Sequence, residues 1–363
     1  TEITVGGVDV FEDEDLIPEE NIIVTLTHKG YIKRLPTSTY RTQNRGGRGV
    51  QGMGTHDDDF VEHLLTTSTH DTILFFTNKG KVYRLKGYEI PEFNRTAKGI
   101  PIINMLQIEQ DEWINTVITV KDFDKEGYLF FTTKAGISKR VELENFANIR
   151  RGGLIAITLR GEDELISVRT TDGEKDIVIA TKQGYIIRFA EDVVRSMGRV
   201  AAGVRGINLR DDDEVVSMEV VEAGSYILHV TNKGIGKRTI ESEYRRTNRG
   251  GKGYYTCRLT EETGHVVKVK IVTGEEDLML MTVEGVLIRI PVDTIPVTGR
   301  STQGVRLIRI QEEEEVATVA TINEDDVAAE AIAGDEEKTE VEDREESDAS
   351  AAVIEEESEE DKE

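Results

Sequence analysis

The sequence predicts an all-β protein, a six-bladed propeller-like ring, on three observations. A Thr-x-x-Gly signal, with arginine four residues after the glycine, occurs six times at intervals near fifty. Short apolar, β-branched and aromatic runs precede it, with no long helical periodicity between them. A second glycine follows the first by 19 residues in five of the six repeats. Two markers in fixed register, repeated this often, define one supersecondary unit used over and over. Blades arranged radially would leave only short sheet edges exposed.

The signal reads THKGYIKR from Thr27, TNKGKVYR from Thr77, TKAGISKR from Thr133, TKQGYIIR from Thr181, TNKGIGKR from Thr231 and TVEGVLIR from Thr282. Its glycines, Gly30, Gly80, Gly136, Gly184, Gly234 and Gly285, are spaced by 50, 56, 48, 50 and 51. The long interval coincides with a charged insertion, KDFDKEG, at 121–127. A tight turn with glycine near its end is hairpin chemistry, because glycine accepts a positive φ. Runs such as TILFFT from Thr72 and YLFFTT from Tyr128 supply the strand before the turn. Runs such as DELISVRTT from Asp163 and DEVVSMEVV from Asp213 close the unit. The second glycines are Gly49, Gly99, Gly203, Gly253 and Gly304, while the third repeat carries Gly152 and Gly153 slightly early. The blades are expected at 21–71, 72–125, 126–174, 175–223, 224–274 and 275–322. Residues 1–20 read as an acidic linker and 323–363 as a disordered acidic tail.

The net charge of −25 conceals a basic body. Residues 311–363 hold 24 acidic and 3 basic side chains, and residues 1–20 hold 8 acidic and none basic. Between them, residues 21–310 hold 42 basic against 38 acidic. Six windows running from the hairpin turn to just past the second glycine contain 36 of those basic residues and only 9 acidic ones. In a ring, equivalent positions share one radius and height, so this sorting makes a positive band separated from a negative zone. A curved positive band suits a polyanion, and duplex DNA is the expected partner, bound through phosphates with little sequence preference. A solvated charged face is the bland alternative, but it gives no reason for the sorting.

The chain opens at Thr1 and reads as a segment of a longer polypeptide. No apolar run approaches the roughly 20 residues that cross a bilayer, so no membrane is expected. Cys257, the single cysteine, excludes an intrachain disulfide and fits a reducing cytoplasm. There is no GxxxxGK[ST] phosphate loop and no nucleophile–base arrangement, so no catalytic residue and no cofactor is assigned. The HDDD group at His56 with nearby His63 lacks metal-ligand spacing and reads as a solvated loop, with no metal assigned.

The sharpest local signal is QNRGGRG at 43–49, where Gly46, Gly47 and Gly49 allow close backbone approach and Arg45 and Arg48 supply phosphate donors beside Gln43. A near-copy in the fifth repeat comprises Asn248, Arg249, Gly250, Gly251, Lys252 and Gly253, preceded by Thr247 instead of glutamine. Further rim candidates are Lys33, Arg34, Arg84, Lys98, Arg140, Arg150, Arg151, Arg188, Arg205, Arg238, Arg289 and Arg300. The six arginines of the repeat signal could face phosphate or bond between blades, and strict repetition suits both. Lys33, Lys139 and Lys237, each one residue before its arginine, fall on the opposite strand face by period-two alternation. Tyr254 and Tyr255 could stack near a sugar-phosphate chain or pack within the sheet.

QNRGGRG resembles the Q-R-R-G-G-K/R-G box of the C-terminal domain of the DNA gyrase A subunit, with six of seven positions matched and Asn44 in place of an arginine. The six repeats extend the resemblance over about residues 21–322, and the acidic tail is similar too. The resemblance implies a six-bladed β-pinwheel whose blades exchange strands and whose rim wraps DNA in a right-handed sense. It implies an ATP-dependent type II topoisomerase that introduces negative supercoils, with the catalytic tyrosine and ATPase in other parts. Partners would be duplex DNA, the remainder of the gyrase A subunit, and through it the gyrase B subunit. The isolated segment would be monomeric and the enzyme would sit in the cytoplasm at the nucleoid. The tail is expected to compete with DNA for the rim. The competing classes are a topoisomerase IV-like domain that binds without constrained wrapping and a protein-interaction propeller, for which the basic band has no evident use.

Overall fold

The computed structural model describes residues 16–36, 59, 61–94, 97–283, 286–310 and 314–322. The QNRGGRG loop, most of the acidic linker and the acidic tail lie outside them. The first repeat supplies β1 (Asn21–Thr27), β2 (Tyr31–Pro36) and β3 (Val61–Ser68). The second supplies β4 (Thr72–Thr77), β5 (Lys81–Lys86), the two-residue β6 (Ile100–Pro101) and β7 (Ile114–Val120). The third follows with β8 (Tyr128–Thr133), β9 (Ile137–Glu142), β10 (Leu154–Ile155) and β11 (Leu165–Thr171). The fourth has β12 (Asp176–Thr181), β13 (Tyr185–Ala190), β14 (Val204–Arg205) and β15 (Val215–Val221). The fifth has β16 (Tyr226–Thr231), β17 (Ile235–Ile240), β18 (Tyr254–Tyr255) and β19 (Val266–Val272). The sixth ends with β20 (Asp277–Thr282), β21 (Leu287–Pro291), β22 (Val305–Arg306) and β23 (Val316–Ile322).

Six antiparallel sheets result, and each full sheet borrows its outer strand from the following repeat. Their orders are β3-β1-β2-β6, β10-β5-β4-β7, β11-β8-β9-β14, β15-β12-β13-β18 and β19-β16-β17-β22, with β21-β20-β23 last. The closing strands β3, β7, β11, β15, β19 and β23 touch one another in sequence, and β23 returns to β3, so they line the axis of a closed ring. The borrowed strands therefore lie at the periphery.

Local chemistry explains the repeated signal. At Gly30 (φ +82°) the hairpin turns, its amide bonding the Thr27 carbonyl at 2.9 Å, while Thr27 Oγ1 accepts from the Tyr31 amide at 3.1 Å. The hydroxyl bond recurs at Thr133, Thr181, Thr231 and Thr282. Thr77 instead donates its hydroxyl to Glu112 at 2.6 Å. A β-bulge at the threonine, as between Leu26 and Thr27, ends regular pairing with the closing strand.

The cores lie between blades. Ile73 and Phe75 of β4 pack towards the first blade, and Leu74 and Phe76 towards the third. In β12, Ile177 and Ile179 face the third blade while Val178 and Ala180 face the fifth. A central strand buried on both faces must be apolar throughout, which is why these runs do not alternate. His229 of β16 sits in such a core, 1% exposed, its Nε2 2.5 Å from Thr256 Oγ1. Burial, reinforced by Lys237, pulls its pKa to about 3, so the fold takes up the neutral ring. Its contribution is complete above the unfolded value of 6.5 and is lost as pH falls towards that lower value. Urea titrations from pH 7 to 4 should show wild-type stability falling more steeply than that of His229→Gln. The difference should approach 1.4 kcal/mol per pH unit, a limit of about one proton. Parallel curves would show that His229 binds its proton over the same pH range in the folded and unfolded states.

Candidate nucleic-acid interface

The carbonyl of the hairpin glycine receives the borrowed segment. Gly80 O accepts from the Ala156 and Ile157 amides at 2.8 and 3.2 Å, and Gly136 O from Gly206 and Ile207 at 2.9 and 3.2 Å. Just before that segment, the second glycine crosses, at backbone contact, the preceding blade's own strand that pairs with the borrowed one. A Cβ on Gly253 (φ +66°) would lie 2.6 Å from Ile186 O, so only glycine lets the loop down here. Each described second-glycine loop is thereby pinned at the periphery, where the basic residues cluster.

Exposed cations on these loops and borrowed strands include Arg150, Arg151, Arg205, Lys252, Arg258 and Arg306. Lys98, Arg199, Arg249 and Arg300 are half-buried. Lys98 Nζ stands 3.9 Å above the Tyr31 ring. The Arg300 guanidinium lies 4.7 Å over Tyr254, and its Nη1 donates to Tyr255 O at 3.4 Å. Tyr254 is half-buried and donates its hydroxyl to Arg245 O at 2.9 Å. Tyr255 is exposed and packs tilted against Tyr185 at 4.3 Å between centroids, and the Arg210 guanidinium lies 3.3 Å over the Tyr185 ring. A cationic and aromatic cluster thus occupies the fourth blade's outer edge.

The near-copy loop at 248–253 belongs to that cluster. Its backbone is held by Gly250 N to Gly206 O at 2.6 Å and by Asn208 N to Gly251 O at 2.8 Å. Arg249 turns inward, donating to Val193 O and Arg205 O at 3.1 Å each. Asn248, Gly251 and Lys252 are exposed. The loop therefore assigns its arginine to its own conformation and its lysine to solvent.

The repeat arginines are engaged within the ring, mostly with the short 3-10 turn of the next repeat. Arg84 donates to Ala147 O at 3.1 Å, and Arg34 lies 3.7 Å from Glu92. Arg140 is 3.9 Å from the buried Glu191 and stacks over Tyr128 at 4.4 Å. Arg188 bridges Asp176 at 2.8 Å and Glu241 at 2.5 Å, which outweighs its own desolvation and raises its pKa. Arg238, only 7% exposed, donates to Ile295 O and Asp293 O at 2.7 Å each. Arg289 pairs with Asp277 of its own blade at 2.6 Å. Of the two roles left open by the sequence, the inter-blade one has the geometry. Two expectations need correction: Arg238 and Lys33 are buried, because period-two alternation and inter-blade bonding turn them inward. Lys33 is 1% exposed, with Nζ 2.8 Å from Ala97 O.

Sequence reasoning missed an axial cluster. Arg169 of β11 makes a bidentate pair with Glu219 of β15 at 2.9 and 2.8 Å, and Lys270 of β19 approaches Glu219 at 3.7 Å. Desolvation beside Lys270 drops the neighbouring Lys268 to about 8. The available signal was a charged residue inside three closing runs, in SVRTT, SMEVV and VKVKIV.

A closed ring of antiparallel blades, five of them finished by a strand of the next repeat among the described residues, is a β-propeller of the strand-exchanging kind with a basic periphery. The family model "DNA gyrase C-terminal domain, beta-propeller" matches at 21–68, 71–121, 127–172, 175–222, 225–273 and 276–323. The chain belongs to this family. The DNA gyrase A subunit of Halalkalibacterium halodurans is 62% identical over 331 residues, covering 91% of this chain and 40% of that protein. Its counterpart in Staphylococcus epidermidis is 53% identical over 329 residues, covering 90% and 37%. The chain thus spans about two fifths of the length of the curated relatives it matches. Among solved structures, the C-terminal domain of DNA topoisomerase IV superposes with a TM-score of 0.76 at 28% identity, covering 89% of this chain and 99% of that one. A DNA gyrase A C-terminal domain superposes with 0.66 at 28% identity, covering 84% and 100%.

Proposed function

We propose that this domain binds duplex DNA without sequence preference on its periphery and bends it around the rim in a right-handed sense. It would do so within the gyrase A subunit, working with the gyrase B subunit in a type II topoisomerase that introduces negative supercoils. The observation that carries the reading is the placement of basic loops at the outer edges of successive sheets, at one radius. Smooth bending of a 20–30 base-pair site costs on the order of 1–6 kcal/mol, and repeated phosphate contacts offset it. With about 6–10 such contacts, affinity should fall by roughly 10³–10⁵ between about 50 and 200 mM salt.

The test is topological. Closed circular plasmid relaxed by a nicking-closing enzyme in the presence of the domain should gain a protein-dependent positive linking-number shift. Arg45→Ala with Arg48→Ala should remove that shift if the QNRGGRG loop anchors the wrap. The higher TM-score with the topoisomerase IV domain favours a second reading, binding without a constrained wrap. Retention of DNA in a gel with no linking-number change would select it.

A further inference from the structure

The second-glycine loops are of two kinds, and the kind follows the side chain beneath. In the third and fifth repeats the loop contains a glycine pair, Gly152-Gly153 or Gly250-Gly251. These settle on Tyr83 and Ile187: a Cβ on Gly153 would lie 2.7 Å from Tyr83 Cε1, and one on Gly251 3.6 Å from Ile187 Cδ1. The loops of the second, fourth and sixth repeats lack the pair. Beneath them, at the equivalent strand position, stand Lys33, Lys139 and Lys237, all at most 1% exposed.

Each of these ammonium groups donates to at least one backbone carbonyl of the loop above it. Lys33 Nζ donates to Ala97 O at 2.8 Å. Lys139 Nζ donates to Ala156 O at 2.6 Å and to Arg199 O. Lys237 Nζ donates to Gly299 O at 2.9 Å, Arg300 O at 2.6 Å and Thr302 Oγ1 at 3.4 Å. Ala156 lies in the same repeat as Lys139, and the other gripped carbonyls belong to, or adjoin, the loop's own cations: Lys98, Arg199 and Arg300. A loop bearing side chains cannot settle on an apolar floor as a glycine pair does. It turns carbonyls inward, and these need donors when cut off from water. An ammonium with three donors meets that need. Blade-to-blade attachment is made separately, by Arg140 and Arg238 and by the carbonyls of Gly136 and Gly234.

We propose that Lys33, Lys139 and Lys237 are positioning residues for the DNA interface, each fixing the next repeat's loop so that its cation faces phosphate. Lysine-latched loops then alternate with glycine-seated ones from the second repeat to the sixth. This rests on the DNA-binding reading, and the experiment separates the two. Lys139→Met, Arg199→Ala and the double variant are compared with wild type for duplex affinity across a salt series, melting temperature and amide exchange at 199–203. The expected result is a folded ring, faster exchange confined to that loop, and a several-fold weaker affinity. The log–log salt slope should be shallower by about one contact. Arg199→Ala should match that loss, and the double variant should add nothing to it. Lys139→Ile with Val200→Gly and Ala201→Gly, which copies the Ile187 seat, should return exchange at 199–203 towards the wild-type rate without restoring the slope, because Arg249 in that seat turns inward. The positioning role is overturned if Lys139→Met lowers only the melting temperature, or if the two losses add. Unchanged exchange at 199–203 overturns the latch even if wild type binds no DNA, an outcome that would sink the binding reading by itself. Should Lys139→Met not fold, Lys237→Met with Arg300→Ala forms the equivalent cycle on the sixth repeat's loop.

Discussion

Replacement of Glu219 by leucine should lower the unfolding free energy by about 3–5 kcal/mol, the scale for removing one partner of a buried ion pair. Glu219 is 7% exposed and is the shared acceptor for Arg169 and Lys270 on the ring axis. Without it, those two cations and Lys268 would face one another across closing strands that cannot move apart independently. Removing both charges, as Arg169→Leu with Glu219→Leu, should cost markedly less than Glu219→Leu, since no orphan guanidinium is left. Burial pushes the Glu219 pKa up, but Arg169 and then Lys270 more than reverse this, leaving it below 4.5. The pair's contribution is therefore full above that pH and is lost as pH falls through the lower folded value. Chemical denaturation at neutral pH measures the effect, and an unchanged midpoint for Glu219→Leu would show that the cations are compensated by other means.

The second large effect is expected at Gly253→Val. Its positive φ costs a β-branched residue about 1–3 kcal/mol, and the contact with Ile186 O adds a similar amount through overpacking. A total of about 2–6 kcal/mol should appear as a lower melting temperature. Weaker DNA binding should accompany it, because the strain falls on the loop that presents Lys252. Gly161→Ala is the matched control: Gly161 also has a positive φ (+62°), but a Cβ there meets nothing within 4 Å. Its cost should stay near 1 kcal/mol, the conformational part alone. Equal effects at the two positions would show that the close approach to Ile186 is not what constrains Gly253.

The repeat, the hairpins and the apolar central strands were legible because each depends on local chemistry. A threonine hydroxyl, a glycine at positive φ and a strand buried on both faces leave marks within a few residues. The register of the second glycine was visible, but its cause was not. The strand it crosses belongs to the preceding blade, and sequence carries no direct trace of that contact. Period-two alternation correctly set Lys139 and Lys237 on the face opposite their arginines, yet Lys33 was also counted on the rim. Only the loop above shows where such an ammonium finds acceptors. Likewise, Arg188 and Arg249 look like phosphate donors until Glu241 and the Val193 carbonyl are brought beside them. The surplus of cations was readable, and its division between mortar and surface was not.

The borrowed outer strands also give the molecule a direction in time. Translation delivers the hairpin of β1 and β2 well before β6, which completes their sheet, and the same lag recurs at β10, β14, β18 and β22. At every stage of synthesis the newest blade has an unsatisfied edge, and the next stretch of nascent chain caps it. Assembly would then proceed like overlapping roof slates laid from the N-terminal side. A chain halted between repeats would always end in one uncapped slate, a ready template for pairing with another stalled copy.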